Sequence, residues 1–296
     1  MSEALILRGL DGSDPLGFMA ALGLLRVVSR EHTEARLAWS RDAVWNATLV
    51  TAEPCDPVQL ALLDLGRWQA GHPAVDFAIG AHRKVQDLKH RPRDFRSLMG
   101  QLVRHPRGAA FVAAYATGAV VDSSGQTKPT SLHFTAGKQR FMDAVLNLRD
   151  NVTRDDLEEA LNGPWQGRVG PKDLRWRAAS DRARALLSFD PSKEKPSVVA
   201  GAVWLAFQAM PLFPVVASGG RCVTTGFTGR GKKEAFTWPL WSAPLTVHEV
   251  RVVLGLRDLE ALEPIGRRRR GIAEVLRSDV VRSSQGYGNF SASRPL

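Results

Sequence analysis

The chain has 296 residues, 44% of them hydrophobic and 24% charged, with no dominating low-complexity tract. That is the composition of an ordinary soluble protein with enough apolar material for a sizeable core. Forty Lys and Arg against 30 Asp and Glu leave a formal +10, a balance that favours polyanionic partners, nucleic acid before anionic membrane, and says nothing about fold. Two cysteines, Cys55 and Cys222, are too few for a disulfide framework or a structural zinc site. The N-terminal MSEALILRGLDG lacks the charged and apolar regions of a signal peptide, and the apolar run near 15–28 is interrupted by glycines and bounded by Arg26 and Arg30. The expectation is a cytoplasmic protein with free thiols, no membrane partner, and no metal or other cofactor.

A short strand is predicted at Ala4–Leu7, followed by LDGSDPLGFMAALGLLRVV. Asp14 is placed to cap a helix with Pro15 at its first position, and the nearly continuous apolar run to Val28 predicts a helix buried on most of its surface. Gly17 and Gly23 lower its helix propensity and mark close approach of another element. ARLAW and DAVWNATLVT read as a hairpin, and Asp56–Pro57 repeats the cap signal before VQLALLDLGRW. AVDFAIGAH reads as a strand entering a basic stretch, 82–107, that also carries His82, His90 and His105. Pro106 ends or kinks the helix expected in DFRSLMGQLVRH, and 111–130 read as strand, turn and loop.

TSLHFTAGKQRF (130–141) offers Thr135 as the cap of a helix in which Phe141, Val145 and Leu148 share a face. That places His133, Phe134, Lys138 and Arg140 at a helix entrance, where free N–H groups favour an anion. Thr153 and Asp156 start an acidic helix ending at Gly163–Pro164. A loop-rich basic segment follows, then the apolar helix SVVAGAVWLAFQAM stopped by Pro211. Residues 215–241 suggest a hairpin with TGRGKKEA at its tip, Thr246 and Glu249 form a capping box, and GRRRRGIAEVLRSDVVRSSQGYGNF reads as a basic turn, a strand pair and an irregular tail. The mixture predicts an α+β fold, helices and short antiparallel strands around one large core. The expected organisation is a single compact domain over 1–296, with two intimate lobes, 1–150 and 151–296, as the alternative.

No phosphate-binding loop, dinucleotide fingerprint or zinc-protease motif is present. Asp155, Asp156, Glu158 and Glu159 crowd one helix start, the pattern of a solvated face complementing the helix dipole. Cys222 has no histidine near it in sequence and reads as a buried, inert thiol. Of the 40 cations 31 are Arg, the better planar partner for phosphate; a GC-rich genome would raise the Arg share too, but explains the net charge less well. Four basic clusters, 83–96, 175–184, 230–233 and 267–270, each lie near an aromatic or a glycine-rich turn, the pairing used to hold single strands or guide RNA. The candidate nucleic-acid contacts are Arg91, Arg93, Arg96, Lys138, Arg175, Arg177, Arg230, Lys232, Lys233 and the run Arg267, Arg268, Arg269 and Arg270. His133, Phe134 and Trp176 are candidates for stacking on bases or shaping the pocket. No residue is assigned as catalytic.

Five stretches, LDGSDPLGFMAALGLLRVV, TSLHFTAGKQRF, LRWRAASDRARALLSFDPS, GAVWLAFQAMPLFPV and VVRSSQGYGNF, follow one another in an order that resembles a CRISPR-associated protein family of subtype I-G (formerly I-U) loci. Its members include an accessory protein encoded beside, or fused to, the helicase-nuclease. Larger effector subunits share the Pro-Leu…Ala-Leu-Gly-Leu-Leu-Arg pattern found here from Pro15 to Arg26. The chain departs from the family where Arg-Trp-Asp-Pro and Asp-Arg-Arg are expected: it has Arg175-Trp176-Arg177-Ala178 and Asp181-Arg182-Ala183-Arg184, a more cationic loop. The resemblance implies a non-catalytic nucleic-acid-binding or scaffold subunit of a type I CRISPR effector in antiviral defence, with crRNA or target nucleic acid and other CRISPR-associated subunits as partners. Two alternatives stand beside it: a metal-independent ribonuclease using His133 or His82 with a nearby cation, and a protein–protein adaptor without nucleic-acid contact.

Overall fold

The computed structural model describes residues 3–78, 85, 87–102, 104–178 and 197–296. The fold is α+β, with several small antiparallel sheets packed on helices. β1 (Glu3–Asp11) leads into α1 (Pro15–Val28), whose start is capped as its sequence predicts: Asp14 accepts hydrogen bonds from Leu16 N (2.7 Å) and Gly17 N (3.4 Å). Burial pushes the Asp14 carboxyl up to about 6 against the pull of those two N–H groups. Every residue of α1 except Arg26 is buried, and Arg26 turns its guanidinium to the carbonyl of Gln208. Burial of each large apolar side chain is worth about 1.5–3 kcal/mol, so this helix is the centre of the core.

β2 (Arg36–Arg41) and β3 (Trp45–Thr51) form the expected hairpin and pair with β1 in the order β1-β3-β2. α2 (Pro57–Gln69) starts at Asp56, which caps Gln59 N at 3.0 Å. α3 (Pro92–Leu102) and α4 (Pro106–Tyr115) follow. Pro106 thus ends one helix and opens another. The expected strand from 111 is helix as far as Tyr115, because Phe111 and Tyr115 are buried there, Phe111 edge-on to Trp68 at 4.9 Å. Ala74 and Val75 are turn and Asp76 is bend rather than the expected strand, and residues 79–82 of that stretch fall outside the described residues.

The hairpin β4 (Ala116–Val121) and β5 (Thr127–Pro129) precedes α5 (Phe141–Asn151) and α6 (Arg154–Asn162), the latter opened by a complete Thr153–Asp156 capping box. α7 (Ala200–Gln208) packs along α1 so closely that a Cβ at Gly23 would collide with the Leu205 carbonyl, the close approach that glycine signalled. Residues 215–241 make two hairpins where one was expected. β6 (Val215–Ser218) pairs with β7 (Arg221–Thr224) through Gly219 and Gly220, and β8 (Phe227–Thr228) pairs with β9 (Ala235–Trp241) through the predicted tip.

α8 (Val247–Leu254) carries its predicted capping box. The run at 267–270 is not a turn: α9 (Pro264–Arg269) includes Arg267, Arg268 and Arg269, and Arg270 closes it. β10 (Ile272–Arg282), β11 (Gly288–Phe290) and β12 (Arg294–Pro295) complete a sheet ordered β11-β10-β9-β8, with β12 beside β10. One contiguous apolar cluster runs from Leu7 to Phe290 through both halves of the chain. Phe18 joins its layers, lying 5.7 Å from Trp39 and 5.8 Å from Trp238. Among the described residues no helix is long and apolar enough to cross a membrane.

Candidate nucleic-acid interface

The segment between β5 and α5 is pinned on four sides. Ser131 N donates to Thr224 Oγ1 on β7 (2.8 Å), and Leu132 O accepts from the Trp176 indole (2.9 Å). Phe134 O accepts from Gly288 N (3.0 Å), and the Phe134 ring meets Phe290 edge-on at 4.7 Å. His133 Nε2 lies 2.7 Å from Asp87 Oδ1, which also accepts from Leu88 N (2.9 Å) and Phe141 N (3.4 Å). Burial alone would raise the Asp87 carboxyl; the hydrogen bond and charge of His133 and the two N–H groups outweigh it and hold the carboxyl below its ordinary range.

This geometry corrects the helix entrance. α5 begins at Phe141, six residues after Thr135, and Thr135 is buried in the loop with its hydroxyl 3.4 Å from His133 Nε2. Arg140, at the cap position, gives no side-chain cap. The Asp87 carboxylate reaches the first N–H of α5, so the anion expected at that terminus is supplied by the protein itself.

Beside this loop lies a groove of about 860 Å³. Its cations are Lys89, Lys128, Arg221, Arg230 and Arg282, and its acids are Asp87, Asp122 and Glu234. Lys89 pairs with Asp122 (3.4 Å) and Arg282 with Glu234 (3.1 Å). Lys128, Arg221 and Arg230 have no ion-pair partner among the described residues, so their charge is directed to solvent in a concavity where field adds. Cys222 also lines the groove; its thiol contacts the carbonyls of Lys128 (3.6 Å) and Pro129 (3.5 Å), and burial pushes its pKa up. Those contacts fasten the β6–β7 hairpin to β5.

Of the candidate contacts, His133 and Arg230 line the groove. Phe134 and Trp176 are both 0% exposed, which leaves no ring face for a base; they pack beneath the loop. Arg175 is held inward, its Nε donating to Gly288 O (3.1 Å) and its guanidinium 5.2 Å from the Tyr287 ring. Arg177 lies over Trp165 at 5.6 Å. Lys138, Lys232 and Lys233 are exposed beside the groove, outside its lining. Arg91, Arg93 and Arg96 are exposed at α3, with Arg93 3.5 Å from Asp94, and do not line the groove either. Arg267–Arg270 lie at the opposite end of β10 from Arg282. His90 and His105 lie outside the lining, and His82, Arg83, Lys84 and Asp181–Arg184 fall outside the described residues.

Sequence reasoning missed Lys128, Arg221 and Arg282. Each stands apart from any cationic cluster, and only strand pairing brings them together; the signal available was a lone cation at a strand end or beside a Gly-Gly turn. The acidic cluster on α6 has a structural use, since Arg168 grips Asp156 with two hydrogen bonds of 2.7 and 2.8 Å. Among the described residues no three His, Cys, Asp or Glu side chains converge as a metal site.

No protein-family model matches this chain, and no curated protein matches it significantly. The five sequence stretches singled out above fall into two spatial groups. The two apolar ones form the α1–α7 pair. The described parts of the other three meet under the groove loop, through Trp176 to Leu132, Arg175 to Gly288 and Phe134 to Phe290.

Proposed function

We propose that this protein is a nucleic-acid-binding subunit of a type I CRISPR effector, acting in the cytoplasm and holding a guide or target strand in the groove. The observation that carries the reading is the convergence of Lys128, Arg221 and Arg230, without acidic partners among the described residues, on one concave surface. The five family-like stretches supply the biological setting, and the meeting of three of them beneath this groove supports linking the two. Binding of the purified protein to labelled RNA and DNA is expected to weaken linearly, on logarithmic axes, between about 50 and 200 mM salt. Alanine at all three positions is expected to flatten that slope by about 2 units, at ~0.7 per single-strand phosphate contact. No binding at low salt, or a slope unchanged in the triple variant, overturns the reading.

The Asp87–His133 hydrogen bond favours a second reading, a metal-independent ribonuclease with His133 as general base. Cleavage of labelled RNA in EDTA that His133→Ala abolishes would establish it; intact RNA leaves binding as the function.

A further inference from the structure

We infer that the groove grips a single strand by its sugar-phosphate backbone and leaves the bases outside, so that binding is independent of base identity. This rests on the nucleic-acid reading above and adds which part of the strand is held. Strand binders that engage bases do so through exposed aromatic faces, each stacked base strengthening binding by about fivefold to a hundredfold. Here the aromatics near the groove are withdrawn. Phe134 and Trp176 are fully buried, and Phe227, the one Phe, Tyr or Trp in the lining among the described residues, is 9% exposed and stacked on Phe236 at 5.0 Å. The His133 ring, also in the lining, is stacked on Phe141 at 6.0 Å and hydrogen-bonded to Asp87. Tyr287, half-buried and outside the lining, has the Arg175 guanidinium over one face of its ring at 5.2 Å.

What the lining offers instead is cations and hydroxyls. Lys128, Arg221 and Arg230 stand with the Ser131 hydroxyl around it, groups that suit phosphate oxygens and ribose, while the Thr228 hydroxyl already donates to Glu260 (2.8 Å). Gln285 is the only side-chain amide in the lining among the described residues, and it sits on an exposed turn. A strand seated on such a surface keeps its pairing edges free, so a complementary strand can anneal to it in place.

The test compares single strands of equal length by fluorescence anisotropy at low salt: oligo-U, oligo-C, a mixed sequence and an abasic strand with the same backbone. The expected result is that all four bind within about threefold of one another, less than one stacked base would contribute. Annealing a complement to the bound mixed strand is expected to leave the complex intact. Weaker binding of the abasic strand, or a preference among the base-bearing strands, beyond about threefold, or release on annealing, overturns this inference alone. Failure of every strand to bind overturns the nucleic-acid reading and this inference with it.

Discussion

Arg267–Arg270 form the densest cationic run in the chain, whereas Lys128, Arg221 and Arg230 come from three separate turns and strands. In the first region the charges are neighbours along α9, where successive side chains point about 100° apart around the axis and diverge. Two of the four are used locally: Arg267 donates to the carbonyls of Leu262 (2.7 Å) and Leu296, and Arg270 to Gly266 O (3.0 Å). In the groove the charges are distant in sequence but face one concavity. Ten residue steps of about 3.3 Å along β10 put roughly 30 Å between the two regions. Density along the chain and convergence in space are therefore different properties, and the proposed strand site rests on the second.

The comparison breaks most visibly under substitution. Alanine at Lys128, Arg221 and Arg230 together should weaken strand binding by about a hundredfold at ~0.1 M salt, since each lost phosphate contact removes ~0.7 logarithmic unit per decade of salt below 1 M. Alanine at all four of Arg267–Arg270 should change it by less than about threefold in the same anisotropy titration. The opposite ranking would move the site to α9.

A smaller effect concerns what holds the groove loop. His133→Ala removes a hydrogen bond to a carboxylate that also ties Leu88 and Phe141, at a cost of about 1–2 kcal/mol after allowance for partial exposure. Calorimetry should show a Tm lower by a few degrees near neutral pH. Because the folded Asp87 carboxyl ionises below its ordinary range, the stability it lends is present above about pH 4 and is lost as pH falls through its lower folded value, so the gap between variant and parent should close there. A gap that persists in acid would mean His133 acts through packing against Phe141.

The smallest effect sharpens the role of charge balance within the groove. Glu234→Gln releases Arg282 from its 3.1 Å partner and should tighten binding by about twofold to fivefold, the range of an exposed ion pair. Weaker binding in this variant would show that Glu234 serves to position Arg282 under the loop carbonyl of His133.

The elements that could be read from the chain are those whose signals are local. Asp14–Pro15, Asp56–Pro57, Thr153–Asp156 and Thr246–Glu249 each bring cap and helix together within four residues, and all four helices start there. Gly23 reported its neighbour because only a residue without Cβ lets the Leu205 carbonyl approach. Where a distant partner intervened, the local signal misled. Thr135 has the chemistry of a cap, but the chain held by Asp87 and His133 turns at Gly137–Lys138 beyond it and delays α5 to Phe141. Phe111 and Tyr115 suit a strand, yet the core beside Trp68 and Phe207 takes them as helix.

By itself, then, the sequence determined the α+β class, the apolar helix pair at the centre and a surplus of positive charge, all carried by periodicity, caps and composition. The tertiary structure decided which charges share one concavity and which aromatics are buried. Antiparallel pairing and the burial of Phe134 and Trp176 join residues far apart in the chain, through hydrogen bonds and packing that no local window contains.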